Sequence, residues 1–179
     1  MNNKWLVAIF AFTFFSCERA DLPEITEEGK NTFGMLVDGK VWTPFNLSIM
    51  SQGLSVSYYM NSSTLTISAY NSLRVESTHF YFSDIVGPGD YYFDCGSDIP
   101  DSVSLFDNCR TGFYKDISTD NKLVNNFVLI NKNESNLHLT KLDTISKIVS
   151  GTFSVNLYNC NGNMLEITNG RFDVKYQKH

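Results

Sequence analysis

Apolar and polar residues alternate with a period of two along most of this chain, the signature of strands with one buried face. Leu54, Val56, Tyr58 and Met60 alternate with Ser55, Ser57, Tyr59 and Asn61. Leu65, Ile67 and Ala69 alternate with Thr64, Thr66 and Ser68. Asn61-Ser62-Ser63 between them predicts a turn, and the pair reads as an antiparallel hairpin. Phe80 and Phe82 continue the pattern, as do Phe127 to Ile130 and Leu137 to Leu139. No stretch has a convincing helical period. Ser146 to Val149 is the best place for a short helical turn.

The C-terminal third specifies its own register. Phe153, Val155 and Leu157 face one way, and Ser154, Asn156 and Tyr158 the other. A two-residue Asn161-Gly162 loop would pair Leu157 with Glu166 and put a carboxylate in the core. A three-residue loop, Cys160-Asn161-Gly162, pairs Leu157 with Leu165 and sets Gly162 at the left-handed position such loops require. The three-residue loop is therefore expected, with Cys160 at an exposed tip. At Asn169-Gly170 the buried phase flips from odd (Leu165, Ile167) to even (Phe172, Val174, Tyr176), which a tight hairpin or a bulge explains. Val37-Asp38-Gly39-Lys40 signals another hairpin, with Trp42 just beyond. The expected class is all-β, an antiparallel β-sandwich or flattened β-barrel built from hairpins. Alternation alone does not choose between the two.

The N-terminus is different. Trp5 to Phe15 is an apolar run, too short for a membrane span of about 20 residues and right for a signal-peptide core of about 7–15. Ser16 then precedes Cys17, an order that resembles the lipobox of bacterial lipoproteins, where cleavage precedes the cysteine and lipid joins its thiol. Phe14 departs from that pattern, which has Leu, Val or Ile there. The expected division is a signal peptide over 1–16, a lipidated Cys17 and acidic tether over 17–30, and one all-β domain over 31–179. The tether, ERADLPEITEEGK, has little apolar surface to bury and reads as solvated. Its early acidic residues resemble surface-export signals of Bacteroidetes-type lipoproteins. These resemblances imply a lipid-anchored protein at the outer membrane or cell surface of a Gram-negative bacterium.

Charge narrows the partners. Removing 1–16 takes away Lys4 alone among the 14 Lys+Arg and 19 Asp+Glu, so the net charge moves from −5 to about −6. That argues against nucleic acid, which calls for a basic patch, and leaves lipid as the membrane contact. Cys95, Cys109 and Cys160 then remain, in a compartment that permits disulfides. Cys95 with Cys109 closes a short loop worth roughly 3 kcal/mol in the chain-entropy model. Cys160 at its hairpin tip is left unpaired.

Two stretches resemble a family of small Bacteroidetes lipoproteins whose domain has no established function. One is Leu22 to Pro44, LPEITEEGKNTFGMLVDGKVWTP. The other runs from Lys141 to Tyr176 and contains KIVSGTFSVNLYNCNG and ITNGRFDVKY. Many relatives carry a cysteine where this chain has Met35, so no family disulfide pattern is carried over. The resemblance implies an envelope location and an all-β fold, and no catalytic residue.

No catalytic residue and no cofactor is expected from the motifs either. HExxH, GxSxG and a Gly-rich phosphate loop are missing from the sequence. His79 and His138 read as surface strand residues. Glu76 and Glu166 are the carboxylates available as general acids, and Glu166 is in phase with the polar face. The stretch from Asp84 to Cys109 is rich in Asp and free of Lys and Arg. Within it Asp94 and Asp98 form an incomplete calcium set. Tyr59, Tyr70, Tyr81, Tyr91 and Tyr158, on polar faces, are candidate ligand-binding rings. Ser102 and Thr144 sit in Asp-Ser/Thr-aliphatic triplets that resemble periplasmic O-glycosylation acceptors of this bacterial group. The expected function is a non-catalytic binding module for a glycan, peptide or protein partner. The alternatives are a lipocalin-like carrier of a small apolar ligand, or a hydrolase with scattered carboxylates.

Overall fold

The computed structural model describes residues 21–47, 53–93, 111–114 and 126–179. Cys17, Asp94, Cys95, Asp98, Ser102 and Cys109 lie outside the described residues. Twelve described strands form one mixed sheet: β1 (Thr32–Val37), β2 (Lys40–Trp42), β3 (Leu54–Tyr59), β4 (Thr64–Asn71), β5 (Glu76–Phe82), β6 (Gly89–Tyr91), β7 (Gly112–Tyr114), β8 (Asn126–Val128), β9 (Ser135–Asp143), β10 (Ile148–Tyr158), β11 (Met164–Lys175) and β12 (Gln177–Lys178). The main path runs β12-β3-β4-β5-β7-β8-β10-β11-β1-β2. Strand β10 makes the corner. Its first eight residues pair with β9, and Tyr158 at its far end pairs with Val128 of β8. The sheet therefore branches and curls into a flattened half-barrel, and the all-β expectation holds.

Hairpins follow the predicted chemistry. Asp38 and Gly39 both have positive φ, 48° and 74°, as a two-residue turn that matches strand twist requires. Leu157 pairs with Leu165, Gly162 has φ 76°, and Cys160 is an exposed free thiol at the tip. The phase flip is a bulge. Phe153 faces Gly170 and Val155 faces Ile167, so β11 carries one residue more than β10 there. Strand β1 sees the same extra residue between Gly34–Arg171 and Leu36–Thr168. Asn169, at φ 50°, takes the strained conformation.

Three expectations need correcting. Met60 does not continue β3; it opens a short 3-10 turn, Met60–Ser62, and is exposed. Ser146 to Val149 form no helical turn. Asp143 Oδ1 accepts the N–H groups of Ile145 and Ser146, Lys147 takes φ 58°, and Ile148 already opens β10. The tether over 17–30 is not simply solvated along its described part. Thr26 Oγ1 and the N–H groups of Glu28, Gly29 and Lys30 all bond the Asp173 carboxylate on β11. Arg171 donates to Pro23 O, and Lys141 donates to Glu27 O. Charge patterning misses this, because each contact uses backbone groups or residues over a hundred positions away.

The core is a set of interlocked rings. Phe33, Phe80, Phe93, Phe153 and Phe172 are all buried. Phe153 lies 5.7 Å from Phe33, 5.0 Å from Phe80, 5.8 Å from Phe93 and 6.2 Å from Phe172, centroid to centroid. Such spacings are favourable for tilted and edge-on aromatic pairs. Trp42 adds an edge contact to Phe113 and donates its indole N–H to Glu76.

Candidate functional site

Inward-facing rings on β3, β4 and β5 dictate what points outward. Alternation puts Val56, Tyr58, Leu65, Ile67, Ala69, Phe80 and Phe82 in the core. The opposite face then carries Ser55 and Ser57, Thr66, Ser68 and Tyr70, and Ser77, His79 and Tyr81. Register aligns them in rows: Ser57, Thr66 and Tyr81 in one, and Ser55, Ser68 and His79 in the next. Within the second row Ser68 Oγ lies 2.6 Å from His79 Nδ1.

Two clefts open on this face. One, of about 380 Å³, is lined by residues that include Asn46, Gly53, Ser55, Ser68, Tyr70 and His79. The other, of about 550 Å³, is lined by Tyr59, Ser62, Thr64, Thr66, His79 and Tyr81. His79 borders both, so they adjoin. Among the described residues, neither lining contains Asp, Glu, Lys or Arg. The described lining residues therefore offer hydroxyls, an amide, an imidazole and phenol rings. Such groups both donate and accept hydrogen bonds.

Of the five candidate tyrosines, the fold puts three on this face: Tyr59 and Tyr81 in the larger cleft and Tyr70 in the smaller one, towards the other end of the strands. Tyr59 also stacks on His179 at 4.9 Å, which covers one side of its ring. The other two stand elsewhere. Tyr91, on β6, donates its hydroxyl to Gly87 O and receives the Gly87 N–H, so it pins the turn before its own strand. Tyr158, on β10, donates to Glu134 at 2.5 Å. That bond raises the phenol's pKa and lowers that of Glu134. The Ser and Thr rows were not singled out from sequence. Their signal was the polar half of the alternation that placed the core.

Other candidates fall into structural roles or open sites. Glu76 accepts from Trp42, and Glu166 is exposed on β11. His138 is exposed and pairs with Asp90 at 2.7 Å. Thr144 is exposed in the β9–β10 turn. Among the described residues no group of three or more His, Cys, Asp or Glu is placed to hold a metal ion.

Asp173 is the strongest electrostatic feature. It is buried, and its two oxygens accept from Thr26, Glu28, Gly29, Lys30 and Ser150 at 2.6–3.2 Å. Burial alone would push its pKa up, but these hydrogen bonds outweigh it and bring the pKa down to about 2.

No protein-family model, curated protein or solved structure matches the chain.

Proposed function

We propose that this chain is a lipid-anchored cell-envelope protein whose β-domain binds a neutral glycan on the outer face of β3, β4 and β5 without turning it over. The observation that carries the ligand class is the pair of adjoining clefts, whose described lining residues present hydroxyls, His79 and three tyrosines and no Asp, Glu, Lys or Arg. A sugar presents hydroxyls that donate and accept, together with apolar C–H faces that lie against aromatic rings. An anionic or cationic ligand would meet no carboxylate, ammonium or guanidinium among the described lining residues. The ring-filled core favours surface binding over an apolar carrier. Carboxylates such as Glu76 and Asp173 serve as acceptors for structural donors, which gives the hydrolase reading little support. The anchor rests on the apolar run ending at Ser16-Cys17.

Thermal unfolding against a panel of neutral glycans, fatty acids, and calcium with chelator tests the ligand class. A glycan at 100 times its dissociation constant adds about 2.7 kcal/mol. For a domain of this size that raises the midpoint by roughly 5–10 °C. Tyr81→Ala should abolish the glycan shift while the protein still unfolds cooperatively. A shift with fatty acid and none with glycans would favour the carrier instead. The anchor has its own test. Cys17→Ala should abolish partitioning into the detergent phase, and a mutant that still partitions would refute lipidation at Cys17.

A further inference from the structure

The docked strap fixes where the chain leaves the domain. The Asp173 carboxylate holds Thr26 to Lys30, and Leu22 and Pro23 pack against Gly34 of β1. Asp21 consequently borders a cleft of about 380 Å³ with Lys30, Thr32, Thr43, Pro44 and Leu54. These residues mark one end of the strands: the start of β1, the exit of β2 and the start of β3. From Asp21 to Cys17 is four residues, a reach of at most about 14 Å even when fully extended. A lipid on Cys17 therefore keeps a bilayer within that distance of Asp21.

Large apolar side chains stand exposed at the same end. Directly after Pro44, Phe45 is 42% exposed and Leu47 is 70% exposed. Leu73 is 67% exposed in the β4–β5 turn. Backbone bonds hold the two segments together. Phe45 N–H bonds Tyr70 O, Ser72 N–H bonds Phe45 O, and Leu47 N–H bonds Ser72 Oγ. Phe45 also bridges Asn71, whose side chain donates to Thr43 O. The three side chains are thus presented on one braced edge rather than on separate loops. Arg74, exposed next to Leu73, adds a cation at the rim. Braced apolar residues beside a cation suit the boundary between lipid headgroups and acyl chains.

Resting on the lipid-anchor reading, we propose that Phe45, Leu47 and Leu73 dip into the bilayer surface and hold the domain upright, as a second contact beside the lipid. Strand direction then orients the ligand face. Gly53, Tyr70 and Ser77 lie at the membrane end of β3, β4 and β5, and Tyr59, Ser62 and Thr64 lie at the outer end. The smaller cleft sits near the bilayer and the larger one faces away from it.

The test uses the processed lipoprotein in nanodiscs of phosphatidylethanolamine and phosphatidylglycerol that carry a nitroxide high on the acyl chain. Amide signals of Phe45, Leu47 and Leu73 should lose at least half their intensity. Those of Met60 and Met164, exposed apolar residues at the opposite strand ends, should keep theirs. The triple variant Phe45→Ser, Leu47→Ser, Leu73→Ser should still enter the detergent phase through its lipid, with no selective broadening at these positions. Equal broadening at both ends in a protein that partitions normally would overturn this inference alone. A wild-type protein that fails to partition would overturn the anchor reading, and this inference with it.

Discussion

Asp173→Asn will cost about 3 kcal/mol of folding stability near neutral pH, on the scale of charge-assisted hydrogen bonds to a buried group. The carboxylate oxygens have only acceptor capacity, and all five neighbours donate to them: Thr26, Glu28, Gly29, Lys30 and Ser150. An amide replaces one acceptor with a donor, so at least one backbone N–H faces another N–H in a buried site. The loss also has a pH signature. The pKa of Asp173 is depressed to about 2 in the fold, against about 3.9 in an unfolded chain. A depressed carboxylate contributes stability that is fully present above the unfolded value and is lost as pH falls through the folded one. The depression corresponds to between about 2 and 3 kcal/mol, of which about 2 kcal/mol is gone by pH 2, where the folded carboxyl is half protonated. Urea unfolding from pH 6 to pH 2 should therefore show the gap between wild type and variant narrowing by about that amount, mostly below pH 4. Glu134 and Asp143, also held below their ordinary values by hydrogen bonds, titrate in both proteins and cancel in the difference. In the variant the amides of Glu28, Gly29 and Lys30 should exchange with solvent faster than those of β10. An unchanged gap across this range would mean that the strap is not held by the Asp173 charge.

That clamp illustrates which parts of the molecule the sequence made legible. Local rules reached far. The Asp38-Gly39 turn, the three-residue loop at Gly162 and the even-odd flip at Asn169 each follow from side-chain alternation plus the need for positive φ. The same alternation named the inward faces of β3, β4 and β5. Long-range partners were hidden. Nothing near Thr26 announces Asp173, and the Asp-rich stretch after Asp84 conceals β6, whose three residues pair with Leu137, His138 and Leu139. A three-residue strand such as Gly89–Tyr91 has too short a pattern to register. The candidate site was half legible for a related reason. Tyrosines draw notice one at a time, but the Ser and Thr rows become a surface only when register sets Ser55, Ser68 and His79 side by side. The five tyrosines shared a polar phase, and phase within a strand says nothing about which strands are neighbours.

Phe153→Ala will be the most damaging single truncation, lowering stability by about 4 kcal/mol and the midpoint by roughly 8–16 °C. Its ring touches four others, and it also covers a glycine: a Cβ on Gly170 would come within 2.6 Å of three of its ring atoms. Strand β11 thus gives up a side chain at the bulge so that the Phe153 ring can lie across it. Removing the ring leaves a gap bounded by Phe33, Phe80 and Phe172, which sit on strands, and by Phe93, whose N–H is tied to Ser135 Oγ, so the walls can close over it only in part. A cavity with that lining stays dry and admits small apolar molecules. Benzene should therefore recover part of the lost midpoint in Phe153→Ala and leave the wild type unmoved. The same pair of measurements decides between a filled core and a carrier's pocket. A wild-type midpoint that rises with benzene, or a truncation that costs under about 1 kcal/mol, would mean that the interior already holds room for a ligand, and would move the proposed binding site from the outer face to the interior.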